Sequence, residues 1–167
     1  MSAEELRKVQ GPLKSRYRDD PGAALITLEA NSDLDEGITC SVQTGQALVK
    51  AGLHPGTGGD GASACSGDML LQALVACAGV TMRAVATSMG IEVGGSVHAE
   101  GDLDWRGTLA VDKEAPIGFS AIRLRFDLES DAGQDELATL ERLTERYCVV
   151  FQTLAESPTL SVSRNHL

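Results

Sequence analysis

The stretch SGDMLLQALVACAGVTMRAVATSMG, residues 66–90, decides the fold. Its apolar residues recur at helical spacing on more than one face, and its charged side chains are Asp68 and Arg83. Ser66 or Asp68 can accept hydrogen bonds from the free amides of the first turn, and Gly90 ends the helix. We therefore predict a helix of roughly 36 Å that protein must surround. In a chain this small, a second subunit is one source of that cover.

The segments around this helix predict an α+β fold. Residues 3–20 form a polar helical lead-in, interrupted at Gly11-Pro12 and stopped by Pro21-Gly22. A second helix is expected over 133–148, with a core stripe of leucines and a short helical continuation after it. Alternating residues between turn signals predict short strands at 24–30, 37–45 and 158–166 and long antiparallel strands at 91–105 and 119–130. No linker divides the chain, so we expect one domain over residues 1–167.

A glycine-rich segment, residues 51–68, precedes the long helix. It lacks both the dinucleotide-binding glycine pattern and the G-K-[ST] pattern of a phosphate-binding loop. We therefore interpret it as a flexible connection, and His54 within it receives no role.

Composition and charge exclude several classes of function. The 167 residues are 43% apolar and 23% charged, which is typical of a globular chain that buries a core. With 24 acidic against 14 basic residues, the net charge of −10 argues against nucleic acid and anionic membrane as partners. The first ten residues lack the apolar core of a secretory signal, and no apolar run is long enough to span a membrane. We expect a cytoplasmic protein.

The four cysteines fit neither a metal site nor a disulfide framework. They are Cys40, Cys65, Cys77 and Cys148, without a C-x-x-C pair, and the three histidines lie in no zinc-ligand spacing. We therefore predict no metal and no cofactor. In a reducing compartment, a disulfide should be transient and catalytic. Cys40 and Cys65 are interpreted as small buried hydrophobic residues.

Cys77 and Cys148 leave two interpretations open, a redox pair or two packed thiols. Cys77 lies on an apolar stripe among small residues, which allow another backbone or a substrate to approach closely. Cys148 lies where one predicted helix ends and the next begins, so the amides of a helix N-terminus could stabilise its thiolate. The residues alone do not choose between the two interpretations.

Two motifs resemble those of the OsmC/Ohr family of thiol peroxidases. SGDMLLQALVAC, residues 66–77, followed by AGVTMRAVA, resembles the central-helix signature of that family, and ERYCVVFQTL, residues 145–154, looks like its second cysteine motif. The expected order of strands and helices also agrees over about residues 23–165, with residues 1–22 as an N-terminal helical extension. The resemblance implies the OsmC-like α+β fold, with a long central helix and an intertwined homodimer.

The resemblance also implies an activity. Cys77 would be the peroxidatic cysteine, attacking a hydroperoxide as a thiolate and becoming a sulfenic acid. Cys148 would resolve it as an intramolecular disulfide that an external dithiol reduces. The reactive sites of this family lie at the subunit boundary, so each Cys77 pocket would be walled partly by the partner chain.

The acid of the family motif is altered in this sequence. Gly67-Asp68 stands where the family usually has Pro-Glu, which makes Asp68 the candidate acid. It lies about two and a half helical turns before Cys77, so it can act only through an intermediary. The alternative role of Asp68 is a favourable charge at the helix N-terminus.

The arginine that holds the reactive thiolate in the family has no clear counterpart. Arg16 and Arg18 are nearest in sequence, although their helix reads more simply as a solvated face. Arg83 points away from Cys77 around the helix. Val149 also replaces the proline that commonly follows the second cysteine.

Two functions therefore stand side by side. The first is a cysteine-based reductase of organic hydroperoxides, with inorganic hydroperoxides as a second substrate class. The two cysteines favour this function. The second is a non-catalytic redox-sensing or apolar-ligand-binding module on the same scaffold, which the absent arginine favours.

Overall fold

The computed structural model of the protein describes residues 2–19, 31–34, 39–43, 48–110 and 112–165. The helices are α1 (Ala3–Asp19), α2 (Ser66–Met89), α3 (Trp105–Thr108), α4 (Gln134–Tyr147) and α5 (Val149–Ala155). The strands are β1 (Asn31–Leu34), β2 (Thr39–Gln43), β3 (Leu48–Gly52), β4 (Gly94–Asp102) and β5 (Ala121–Glu129). The predicted α+β fold is confirmed.

Helix α2 is the central element, and it packs against α1, α4, α5 and β4. It ends where predicted, because Gly90 adopts the left-handed conformation (φ 75°) and its amide donates to the carbonyls of Ala86 and Thr87. The predicted cap at its start is wrong. The N-cap position is Cys65, whose side chain makes no capping hydrogen bond, so neither Ser66 nor Asp68 occupies it.

By length and composition, α2 is also the one helix within the described ranges that could cross a membrane. The expectation that no segment reaches that length and hydropathy is therefore wrong. A core helix passes the same test, and α2 lies at the centre of this fold. Its burial is incomplete, since Val80 is 72% exposed and Leu70 is 37% exposed.

The two long strands form the sheet that covers α2 on one side. Strands β4 and β5 pair antiparallel from Gly94↔Glu129 to Asp102↔Ala121, as the sequence predicts. Their side chains alternate, so every second residue packs towards α2 while charged residues face outwards. On the outer face, Arg123 donates to Asp102 at 2.7 Å.

Two apolar clusters hold the helices to this sheet. The first, called the distal core, consists of the buried residues Met82, Val85, Ala86, Val93 and Leu140. The second, called the thiol core, consists of the buried residues Leu74, Ala78 and Cys148, with Cys77 and side chains of β4, β5 and α5 packed against it. Because α4 contributes Leu140 to one cluster and leads to Cys148 in the other, it fixes the α4–α5 junction along α2.

The N-terminal strands form a separate three-stranded antiparallel sheet in the order β1-β2-β3. Strand β2 falls inside the predicted strand 37–45, and Cys40 pairs with Ala51 of β3. The predicted strand 24–30 lies outside the described residues. Strands β1 and β3 were not predicted, because their short sequences carry little alternation.

Two predictions about the chain ends are wrong. Helix α1 continues through Pro12 instead of breaking there. A proline removes one helical hydrogen bond, yet α1 stays continuous and packs against α2. Residues 158–165 form no strand within the described part of the chain, and Leu160 and Val162 are 84% and 100% exposed. A strand needs a neighbouring edge, and here none pairs with this segment.

Candidate functional site

The junction between α4 and α5 delivers Cys148 to the central helix. Cys148 is extended (φ −74°, ψ 107°), which ends α4 at Tyr147 and begins α5 at Val149. Its amide donates to the carbonyl of Thr144 at 2.9 Å, and its carbonyl accepts from the amide of Gln152 at 3.0 Å. The side chain of Cys148 is fully buried in the thiol core.

Cys77 meets this junction from α2. It shares a helical stripe with Leu74 and Thr81, and it is half-buried against the thiol core that contains Cys148. The neighbouring Ala78 has no exposed surface. A side chain this small allows the α4–α5 junction to lie close to α2, and it brings the two thiols into contact.

The surroundings of Cys77 favour its thiolate. Burial by itself raises the pKa of the Cys77 thiol, but hydrogen bonding from the amide of Val150, the Cys148 thiol and the amide of Val149 outweighs it. The hydroxyl of Thr81 adds to the same effect, and the net result is a pKa below the ordinary value for cysteine. Cys77 is therefore the better nucleophile of the pair.

Cys148 has the opposite character. Burial raises the pKa of its thiol, and the neighbouring Cys77 raises it further, although the amides of Phe151 and Val150 act in the other direction. The expectation that helix amides make Cys148 the stabilised thiolate is thus wrong in its net direction. Burial is the largest influence on the Cys148 thiol, and the amides at the start of α5 do not offset it.

No cation lies among the groups that lower the pKa of Cys77 in the described part of the chain. Arg83 points away from Cys77, as expected from its position on α2. Its Nη1 donates to the carbonyl of Val93 at 2.6 Å. Arg16 and Arg18 lie on α1, and their side chains are outside the described residues. The thiolate stabilisers that the structure describes are therefore neutral donors: the amides of Val149 and Val150, the Cys148 thiol and the Thr81 hydroxyl.

Asp68 lies apart from the thiol pair. It lines a separate small cavity of about 230 Å³ with His54, Cys65 and Trp105. The segment that we interpreted as a flexible connection is ordered here by a 3-10 turn, Pro55–Thr57. The Nδ1 of His54 accepts from the amide of Gly56 at 2.9 Å, and its ring stacks on Trp105 at 5.0 Å. Cys65 is a half-buried free thiol.

An apolar cavity of about 540 Å³ borders the thiol core, and neither Cys77 nor Cys148 is among its lining residues. It lies between α2, β5 and α5, and it shares five of its lining side chains with the thiol core: Leu74, Ile122, Leu124, Phe151 and Leu154. Sequence reasoning missed this cavity. The available signal was the spacing of Phe151 and Leu154, which places two large apolar side chains on one face of α5.

The arrangement brings a stabilised thiolate against a second thiol that remains protonated. A thiolate can attack an electrophile, and a neighbouring thiol can then condense with the oxidised sulfur. Within the described residues, no group of three histidine, cysteine or acidic side chains is placed to hold a metal ion.

A family model described as "OsmC-like protein" matches residues 58–163, which include both cysteine motifs. No curated protein matches the chain.

Several solved structures share the fold at low sequence identity. An OsmC-like protein from Mycoplasma pneumoniae superposes with a TM-score of 0.66 at 16% identity, covering 79% of this chain and 89% of that one. An organic hydroperoxide resistance protein OsmC, described as a predicted redox protein, from Legionella pneumophila gives 0.62 at 18% identity, covering 80% and 92%. The organic hydroperoxide resistance protein OhrB of Bacillus subtilis gives 0.53 at 13% identity, covering 80% and 94%.

Proposed function

The chain belongs to the OsmC-like protein family, and on that premise we propose that it is a cysteine-based hydroperoxide reductase. Cys77 is the nucleophile and Cys148 is the resolving thiol. The observation that carries the proposal is the contact between these two thiols, in which the net effect of the surroundings lowers the pKa of Cys77 and raises that of Cys148.

The reaction follows from the two protonation states. The Cys77 thiolate attacks the terminal oxygen of the hydroperoxide, the O–O bond breaks, and the alkoxide takes a proton and leaves as an alcohol. Cys77 is then a sulfenic acid. The thiol of Cys148 loses its proton and attacks the Cys77 sulfur, releasing water and forming the disulfide. An external dithiol supplies the two electrons that restore both thiols.

The apolar cavity supports organic hydroperoxides as the preferred substrates. Its side chains include Leu74 and Phe151, which also pack beside the thiols, so an alkyl or aryl group bound there would sit next to Cys77. Burial of such a group is worth about 25 cal/mol per Å² of apolar surface. Hydrogen peroxide, which has no apolar group, gains nothing from this cavity and should react more slowly.

Assembly as a homodimer is part of this proposal. Val80 lies one turn after Cys77 on α2 and is 72% exposed, which supports a partner chain over that face. Leu160 and Val162 are exposed and lie in a segment without regular secondary structure, which pairs with no strand in the described part of the chain. A segment of this kind can add to a sheet edge of a second copy. The partner would then wall the Cys77 site.

The remaining partners follow from charge and redox chemistry. The net charge of −10 disfavours nucleic acid and anionic membranes as partners. We place the protein in the cytoplasm, where an external dithiol can return the disulfide to two thiols after each turnover. No metal or cofactor enters the reaction as proposed. Asp68 and Arg18 have only supporting roles in the reaction. Asp68 would act on Cys77 through an intermediary, and Arg18 is a candidate for the cation beside the thiolate.

A second candidate function is a redox-sensing or apolar-ligand-binding module on the same scaffold. The apolar cavity of about 540 Å³ favours it, together with the lack of a described cation at Cys77. In that function the cavity holds a ligand, and the thiols do not turn over.

Mass spectrometry separates the two candidates. One equivalent of cumene hydroperoxide is added to the reduced protein, free thiols are alkylated, and the peptides are mapped. A reductase gives a stoichiometric Cys77–Cys148 disulfide, while Cys40 and Cys65 remain alkylated as internal controls. Unreacted Cys77 and Cys148 would favour the binding module. Repeated turnover with dithiothreitol then distinguishes a reductase from a sensor that oxidises only once.

A further inference from the structure

The two sulfurs of the site differ sharply in access. Cys148 is 0% exposed, whereas Cys77 is half-buried and keeps part of its surface open to solvent. A second subunit can cover more of Cys77, but adding a chain cannot expose Cys148. The difference concerns the reductive half of the cycle, because a reductant must reach one of these two sulfurs.

Thiol–disulfide exchange has a strict direction of approach. The attacking thiolate comes in line with the S–S bond, from the side opposite the sulfur that leaves. An attack on Cys148 would therefore have to arrive from behind that residue, where the thiol core is packed and no sulfur surface is open. Cys77 is the member of the pair that keeps exposed surface, so an attacking thiolate can reach it.

From this geometry we infer that the external dithiol attacks the sulfur of Cys77 and never contacts Cys148. The inference rests on the proposed function. A new S–S bond forms between the reductant and Cys77, the Cys77–Cys148 bond breaks, and Cys148 leaves with the electron pair and takes up a proton. The second thiol of the reductant then attacks the mixed disulfide and releases Cys77 as a thiolate. Two electrons pass from the dithiol, which becomes oxidised.

The pKa values of the two possible leaving groups oppose attack on Cys77. A thiol of lower pKa leaves faster, so attack on Cys148 with departure of Cys77 would be favoured if both sulfurs were equally open. Access overrides that preference because a sulfur without exposed surface offers no in-line path. In the second exchange Cys77 is the leaving group, so its stabilised thiolate speeds the step that frees the reductant.

The experiment identifies the sulfur that receives a monothiol. The wild-type protein is oxidised with diamide, and the Cys77–Cys148 disulfide is verified by peptide mass. Reduced glutathione is added, samples are quenched with acid over time, and free thiols are alkylated with N-ethylmaleimide. A monothiol is chosen because it cannot complete the second exchange within one molecule. Cys40 and Cys65 report side reactions in the same map.

In the earliest samples we expect glutathione on Cys77 and maleimide on Cys148, at least about tenfold over the reverse pattern. The smaller thiol 2-mercaptoethanol should label the same sulfur. Glutathione first on Cys148, or equal labelling of both, would overturn the inference, as would failure of diamide to join the two cysteines. Since diamide forms the disulfide without peroxide, a protein inert to hydroperoxides would refute the proposed function and leave this test readable.

Discussion

Replacing Val149 with proline removes one hydrogen-bond donor from the Cys77 sulfur and leaves the backbone in place. Val149 is the first residue of α5, and its amide is free because the first hydrogen bond of α5 runs from Gln152 to Cys148. Proline is common at the first position of a helix. The residue before a proline favours an extended conformation, and Cys148 already has one (φ −74°, ψ 107°). The Val149 side chain is 71% exposed, so its loss changes little packing.

The loss of one amide hydrogen bond sets the size of the change in the Cys77 thiolate population. A hydrogen bond to a charged group is worth about 1.5 kcal/mol at the low end, or about thirteenfold in thiolate population at a pH well below the pKa of Cys77. A less acidic thiol gives a more nucleophilic thiolate, which recovers about threefold. We therefore expect Val149→Pro to react about fourfold more slowly at low pH and about threefold faster at high pH, where both proteins are fully ionised.

The rate of Cys77 alkylation by iodoacetamide, followed by peptide mass from low to high pH, provides the measurement. In the wild type, protonation removes the thiolate as the pH falls through the pKa of Cys77, and that midpoint should lie below that of a free cysteine peptide. Val149→Ala is the matched control, because it loses the side chain and keeps the amide. Identical pH profiles for the alanine and proline variants would refute the assignment of the amide.

The other predictions concern turnover, stability and assembly. Cys77→Ser should abolish hydroperoxide consumption, whereas Cys148→Ser should react once and accumulate sulfenic or over-oxidised Cys77. Cys65→Ser should keep its turnover, and equal residual turnover in the Cys77 and Cys148 variants would contradict the assignment. Leu140→Ala empties a fully buried position of the distal core and should cost about 2–5 kcal/mol in urea unfolding; a loss below 1 kcal/mol would argue against that packing. Val80→Asp should shift sedimentation equilibrium towards the 17.5 kDa monomer, and a wild type that is already monomeric would refute the dimer.

Local signals account for the parts of the fold that were predicted correctly. The apolar run of α2 and Gly90 after it mark a helix whose end needs a left-handed residue, and the sequence contains both features. The alternation in β4 and β5 likewise marks one buried face. Helix α4 could be found in the same way, because Leu140 faces the distal core while acidic residues occupy its first turn.

The features that the sequence could not predict depend on contacts between distant parts of the chain. Cys77 and Cys148 are far apart along the chain, and no helical periodicity specifies how α4 lies along α2. Their pairing was therefore indicated by resemblance alone. The rule that helix amides lower a nearby thiol pKa was applied to Cys148, but burial, which is a tertiary property, reversed it. Residues 158–165 carry the pattern of a strand, and a pattern cannot provide the neighbouring edge.

The incomplete burial of α2 has a consequence during synthesis of the chain. Helix α2 is finished at Met89, but its covering helices α4 and α5 are complete only at Ala155. At about 5–20 residues per second, the ribosome needs about 3–13 s to make that interval. For those seconds an apolar helix emerges before the elements that shield it, and it waits still longer for a second subunit. Slower translation between these two points should therefore increase aggregation of the nascent chain, even when the finished protein is unchanged.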